Sequence, residues 1–97
     1  MMILVTYDVN TEDQAGKKRL RQVARACEDV GQRVQNSVFE CLVSPSEYLI
    51  LKEKLRQIMD EEKDSLRFYR LGKNWQVKLE TMGKDDSYDP ENDAFIF

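Results

Sequence analysis

Residues 2 to 7, Met-Ile-Leu-Val-Thr-Tyr, make a nearly unbroken apolar and β-branched run that stops at Asp8. A strand with one wet face alternates apolar and polar residues, so a continuous run reads as a strand buried on both faces. Such a strand belongs inside a sheet that is covered on each side. The chain has 97 residues with which to build that cover, enough for one small domain. A domain of this size hides only about two thirds of the surface its unfolded chain exposes. Self-association is therefore expected before any motif is read.

The remaining elements come in a definite order. After a polar turn from Asp8 to Asp13, Leu20, Val23, Ala24, Cys27 and Val30 recur at helical spacing. This predicts an amphipathic helix over 14–30 with Gly31 as its C′ residue. Val34 and the run Val38 to Val43 predict a short hairpin turned at Gln35-Asn36-Ser37. Ser44-Pro45-Ser46-Glu47 combines a capping serine, a proline at the first helical position and the glutamate of a capping box. The helix it starts is expected to reach about Glu62 and to turn Tyr48, Leu51, Leu55, Ile58 and Met59 inward. Asp64 to Leu71 reads as a further strand, and Val77 to Thr81 as a candidate fifth.

That order, βαββαβ, is the pattern of the ferredoxin-like α+β sandwich, with both helices on one face of an antiparallel sheet. Cover for the other face is expected from a second copy, making a homodimer. We assign residues 1–81 to this domain and 82–97 to an acidic tail. The tail ends in Ala94-Phe95-Ile96-Phe97, whose apolar side chains are expected to dock as an extra C-terminal strand, on the partner protomer or another edge.

Composition narrows the chemistry. With 41% hydrophobic and 34% charged residues the chain is too apolar to be disordered. It contains no histidine, which removes imidazole bases and His-ligated zinc and leaves carboxylates, Lys, Tyr, Ser or a metal held by oxygen. Cys27 and Cys41 lie in apolar patterns without CxxC spacing and read as reduced core thiols of a cytoplasmic protein. No basic leader or membrane-length apolar stretch is visible, so neither secretion nor membrane contact is expected. No glycine-rich phosphate loop supports nucleotide-cofactor chemistry.

Charge is divided along the chain. Six acids and one base give −5 between Glu80 and Phe97, leaving +2 on residues 1 to 79. Lys17, Lys18, Arg19, Arg21, Arg25 and Arg33 concentrate the positive charge, a footprint suited to phosphate, although a solvated helix face looks the same. Ser37, at the hairpin tip, is placed to hydrogen-bond a phosphate or simply to make the turn. Arg33 fits either a phosphate contact or a blunted sheet edge. Arg67 and Arg70 fall on opposite faces of their strand.

Asp8 follows directly on the buried strand. It either starts the turn into the first helix or presents a carboxylate to a cleft. If two copies pack sheet to sheet, both Asp8 side chains approach the dimer axis and share a proton or a cation. Mg²⁺ suits one or two carboxylates with retained waters, and such an ion assists phosphodiester hydrolysis without histidine. Tyr7 alternates with Asp8 and is expected to point into the core.

The segments Ile3-Leu4-Val5-Thr6-Tyr7-Asp8-Val9, Gly31 to Glu40 with the string Arg33-Val34-Gln35-Asn36-Ser37-Val38-Phe39-Glu40, and Ser65 to Gly72 resemble the Cas2 family of CRISPR-associated endonucleases. The likeness runs in order and spacing from Met1 to about Leu79. It implies a ferredoxin-like homodimer in which Asp8 binds Mg²⁺ as the catalytic carboxylate, with Mn²⁺ able to stand in. It also implies a part in acquiring CRISPR spacers for antiviral defence, between copies of the Cas1 integrase and with duplex DNA across the dimer. Arg19, Arg33, Ser37 and Phe39 match positions tied to nucleic-acid binding or activity in the family, whereas Lys17, Lys18 and Arg21 join them only by charge. Phe39 is expected at a sheet or dimer face, and Phe95, Ile96 and Phe97 at a dimer or partner contact.

Two functions of different class follow. One is a metal-dependent endonuclease acting on duplex DNA in preference to single-stranded RNA. The other is a non-catalytic dimeric adaptor that positions duplex DNA for the integrase. A toxin-like ribonuclease on the same fold is a third reading, without an integrase partner.

Overall fold

The computed structural model describes residues 1–83. Its elements are β1 (Met2–Asp8), α1 (Gln14–Glu28), β2 (Gly31–Gln35), β3 (Val38–Leu42), α2 (Pro45–Ile58), β4 (Ser65–Arg70) and the single turn α3 (Trp75–Lys78). The expected docking strand with Phe95, Ile96 and Phe97 lies outside the described residues. The four strands form one sheet in the order β2-β3-β1-β4, with each adjacent pair antiparallel. β1 is thus interior, as its unbroken apolar run predicts. α1 joins β1 to β2 across β3, and α2 joins β3 to β4 across β1.

Strand side chains alternate, so Ile3, Val5 and Tyr7 face one way and Leu4, Thr6 and Asp8 the other. The first set packs with Phe39 and Cys41 of β3, Leu20, Val23 and Cys27 of α1, and Tyr48, Leu51 and Leu55 of α2 in one core. Fully buried members such as Val23 and Leu55 contribute about 1.5–3 kcal/mol each. α1 begins where the Asp13 carboxylate accepts the Gly16 N–H at 2.7 Å. At α2 the predicted capping box is present: the Glu47 N–H donates to Ser44 Oγ at 3.2 Å, and the Ser44 N–H to Glu47 Oε1 at 2.8 Å.

Three boundaries differ from the sequence-based expectation. Gly31 opens β2 instead of ending α1; a Cβ there would sit 1.9 Å from the Glu40 carbonyl oxygen, so close strand approach is what requires glycine. α2 stops at Ile58, short of Glu62, because Asp60 begins a turn in which its carbonyl accepts the Lys63 and Asp64 N–H groups at 3.0 and 2.7 Å. The candidate fifth strand over Val77–Thr81 does not form. A helical turn buries Trp75, at 5% exposure, and leaves Val77 85% exposed with no sheet face to cover. No helix among the described residues is long and apolar enough to cross a membrane. Cys27 and Cys41 are buried free thiols.

Candidate functional site

The site is built at the end of β1. Asp8 is the last residue of that strand and pairs with Ser65 of β4, also the last rung of the β1–β4 ladder. Its side chain is exposed on the sheet face turned away from α1 and α2. Among the described residues no side chain hydrogen-bonds its carboxylate. Thr6 and Arg67 form the preceding pair on the same face, which sets Arg67 on a diagonal from Asp8. Tyr69, first, and the Asp8 charge, more weakly, push the Arg67 guanidinium above its ordinary value.

Among the described residues no cluster of three or more Asp, Glu, Cys or His side chains is arranged to hold a metal. Asp8 offers one hard oxygen donor group on an open surface. That donor fits a hydrated Mg²⁺, which is commonly held by one or two carboxylates plus waters, but among the described residues it is a single ligand and not a closed site. A groove of about 580 Å³ between α2 and β4, lined in part by Leu49, Lys52, Arg56 and Phe68, does not include Asp8. Among the described residues nothing walls Asp8 in.

Directly behind Asp8, on the covered face, lies a polar network. The buried Tyr7 hydroxyl donates to Asp64. Arg19 donates to the same carboxylate through Nε at 2.7 Å and Nη2 at 3.1 Å, and the Asp60 backbone N–H adds a bond of 3.0 Å. Burial pushes the Asp64 carboxyl up, but the hydrogen bonds from Arg19, Tyr7 and Asp60 outweigh it and hold the group below the usual carboxylate range. Burial, then the bond to Asp64, raises the Tyr7 phenol. Sequence reading passed over Asp64. The available signal was Tyr7, since a tyrosine expected in the core needs a partner for its hydroxyl.

The basic residues separate into two groups. Lys17, Lys18 and Arg21 are exposed on α1, as is Arg25, and Lys17, Arg21 and Arg25 form one stripe at four-residue spacing. Arg19 points the other way, with only 15% of its side chain exposed and its guanidinium bound to Asp64. Arg33 is exposed at the edge strand; its Nε donates to the Asn36 carbonyl at 2.8 Å, and the guanidinium lies 5.7 Å from the Phe39 ring centre. Ser37 is half-buried in the turn, and its carbonyl accepts the Tyr7 N–H at 2.9 Å. Phe39 has no exposed surface and stands opposite Val5. This corrects the expectation of a partner contact: the β3 alternation turns Phe39 toward the helices and into the chain's own core.

The family model described as CRISPR associated protein Cas2 matches residues 1–79. The chain belongs to the Cas2 family. A CRISPR-associated endonuclease Cas2 of Halalkalibacterium halodurans is 55% identical over 97 residues, covering 100% of both chains. A CRISPR-associated endoribonuclease Cas2 of Nitratidesulfovibrio vulgaris is also 55% identical, over 99% of this chain and 94% of that one. The crystal structure of Streptococcus pyogenes Cas2 at pH 6.5 superposes with a TM-score of 0.81 and 66% identity, covering 86% of this chain and 100% of that one. Cas2 relatives thus carry nuclease names, and this Cas2 chain belongs among CRISPR-associated nucleases. The Cas2 match spans all four strands and places Asp8 within it.

Proposed function

We propose that this chain is a homodimeric, Mg²⁺-dependent nuclease of CRISPR spacer acquisition, with Asp8 as its metal and catalytic carboxylate and duplex DNA as its substrate class. The observation that carries the reading is a lone exposed aspartate at the end of an interior strand in a chain of a CRISPR-associated nuclease family. The connectivity β2-β3-β1-β4 supports a ferredoxin-like domain over 1–81. Leu4, Val38 and Leu42, half-buried on the far face, suit contact with a second copy, which brings a second Asp8 toward the first. Cytoplasmic location and a Cas1 integrase partner belong to the same reading.

Within it, each residue has a physical task. Asp8 supplies the anionic oxygen that holds the ion. Mg²⁺ at that carboxylate, or Mn²⁺ in its place, supplies polarisation of a phosphate oxygen and a more acidic water. Arg67 sets a fixed positive charge on the same face for the phosphodiester. Lys17, Lys18 and Arg21 draw in the backbone of the nucleic acid, and because phosphate contacts do not read sequence, cleavage is expected to be weakly sequence-selective. Arg33 and Ser37 serve the hairpin turn first and are the outer limit of the patch.

A second substrate class, single-stranded RNA, is favoured by the name endoribonuclease carried by the N. vulgaris relative. The deciding experiment incubates purified protein with duplex DNA or single-stranded RNA in Mg²⁺, Mn²⁺ or chelator, comparing wild type with Asp8→Asn. Metal-dependent cutting of duplex DNA that the variant loses supports the proposal, and cutting of RNA alone replaces the substrate class. Inert wild type that still binds duplex DNA together with the integrase leaves the adaptor role in place of the nuclease.

A further inference from the structure

The network around Asp64 ties together β1, α1 and the turn between α2 and β4 at one wholly buried carboxylate. It does so one residue from Asp8 on both strands. Tyr7 precedes Asp8 on β1, Asp64 precedes Ser65 on β4, and Asp8 and Ser65 are the final pair of their ladder. Beyond that pair the sheet has no further rung to hold the strand end. Without the network, the terminal rung is the part of the sheet with least to resist local opening.

We infer that Asp64 is a positioning residue that holds the Asp8 carboxylate in place through Tyr7, and that Arg19 acts through Asp64 and not on nucleic acid. The inference rests on the reading of Asp8 as the metal carboxylate. A cation held by one side chain per chain depends on where that side chain stands, and a misplacement on the order of 1 Å can cost about a hundredfold in rate. Arg19 turns its Nε and Nη2 edge to Asp64 with only 15% of its side chain exposed, and withdrawing that edge toward a phosphate would strand a buried negative charge. Arg19 stands among the basic residues of α1 in sequence, yet it belongs to the site from behind.

The test uses full-length Tyr7→Phe, Asp64→Asn, Arg19→Gln and Asp8→Asn proteins. Broadening of the Asp8 amide NMR signal by Mn²⁺ reports metal binding without requiring turnover, and kcat, KM and the salt dependence of duplex DNA binding are measured alongside. In Tyr7→Phe and Asp64→Asn the Mn²⁺ midpoint is expected to rise about tenfold or more, the usual scale for losing an outer-shell partner. Their kcat falls while KM and the salt slope hold. Arg19→Gln behaves the same way, with the wild-type salt slope. Unchanged Mn²⁺ midpoints in folded Tyr7→Phe and Asp64→Asn, beside lost broadening in Asp8→Asn, overturn the inference and leave the Asp8 reading standing. Wild-type broadening in Asp8→Asn overturns that reading itself. Should Asp64→Asn not fold, Tyr7→Phe decides, since it keeps the ring in the core and loses only the hydroxyl. A flattened salt slope in Arg19→Gln returns that residue to the nucleic-acid surface.

Discussion

Asp8 closes β1 on the open face of the sheet, and Asp64 stands just ahead of β4 on the face that α1 and α2 cover. The two lie at neighbouring positions of the same strand pair and are treated oppositely. Four hydrogen bonds from Tyr7, Arg19 and Asp60 saturate Asp64, whereas among the described residues no side chain bonds Asp8. A buried carboxylate survives only when its desolvation is offset by such partners. An exposed one at a strand end needs no offset, so its lone pairs stay available. The comparison teaches that one strand pair commits the carboxylate on its covered face to the fold and leaves the one at its open end available for chemistry.

The largest effect that would break this division is in stability. Asp64→Ala is expected to cost about 1–3 kcal/mol, because it leaves the buried Tyr7 hydroxyl without its acceptor, while Asp8→Asn changes stability by less than about 0.5 kcal/mol; urea unfolding of both variants checks the contrast. Next, Leu4→Lys places a charge on the open face opposite Glu40, a cross-strand neighbour of opposite sign. It is expected to convert a micromolar dimer into monomer by light scattering with the fold retained, and an unaltered dimer would remove that face as the interface.

Smaller effects concern pH and salt. Asp64 has its folded-state carboxyl depressed, so its contribution is full above the unfolded value of about 4 and is lost as pH falls through the folded one. Tyr7 is shifted upward, so its contribution is full below about 10 and is lost on further alkalinisation. Thermal unfolding against pH should therefore show a shallower acid arm in Asp64→Asn and a shallower alkaline arm in Tyr7→Phe. The smallest change is in the salt slope of duplex DNA binding, which drops by about one for each of Lys17, Lys18 and Arg21 neutralised.

Much of the fold was legible because local physics and the fold agree. The run from Met2 to Tyr7 announces an interior strand, and Ser44, Pro45 and Glu47 announce a helix start by their hydrogen-bonding chemistry. Gly31 was misread because a glycine that ends a helix and one that lets two backbones approach are the same letter in sequence. The end of α2 was hidden for a related reason. Residues 59 to 62 retain helical composition, and the bonds that turn the chain at Asp60 depend on Asp64 and the start of β4. At the site, Asp8 was visible by its position after a buried run. Arg19 was not separable from Lys17, Lys18 and Arg21, since charge in a sequence carries no direction and its partner lies 45 residues away.

Asp8→Asn, measured for cleavage and for folding on the same preparation, tests the division between the two faces most directly. The account predicts metal-dependent cleavage reduced about a hundredfold or more, the scale of removing one essential charge-stabilising group, with the urea midpoint and dimer mass of wild type. Cleavage at the wild-type rate would contradict it, as would a loss of activity that merely follows a loss of stability.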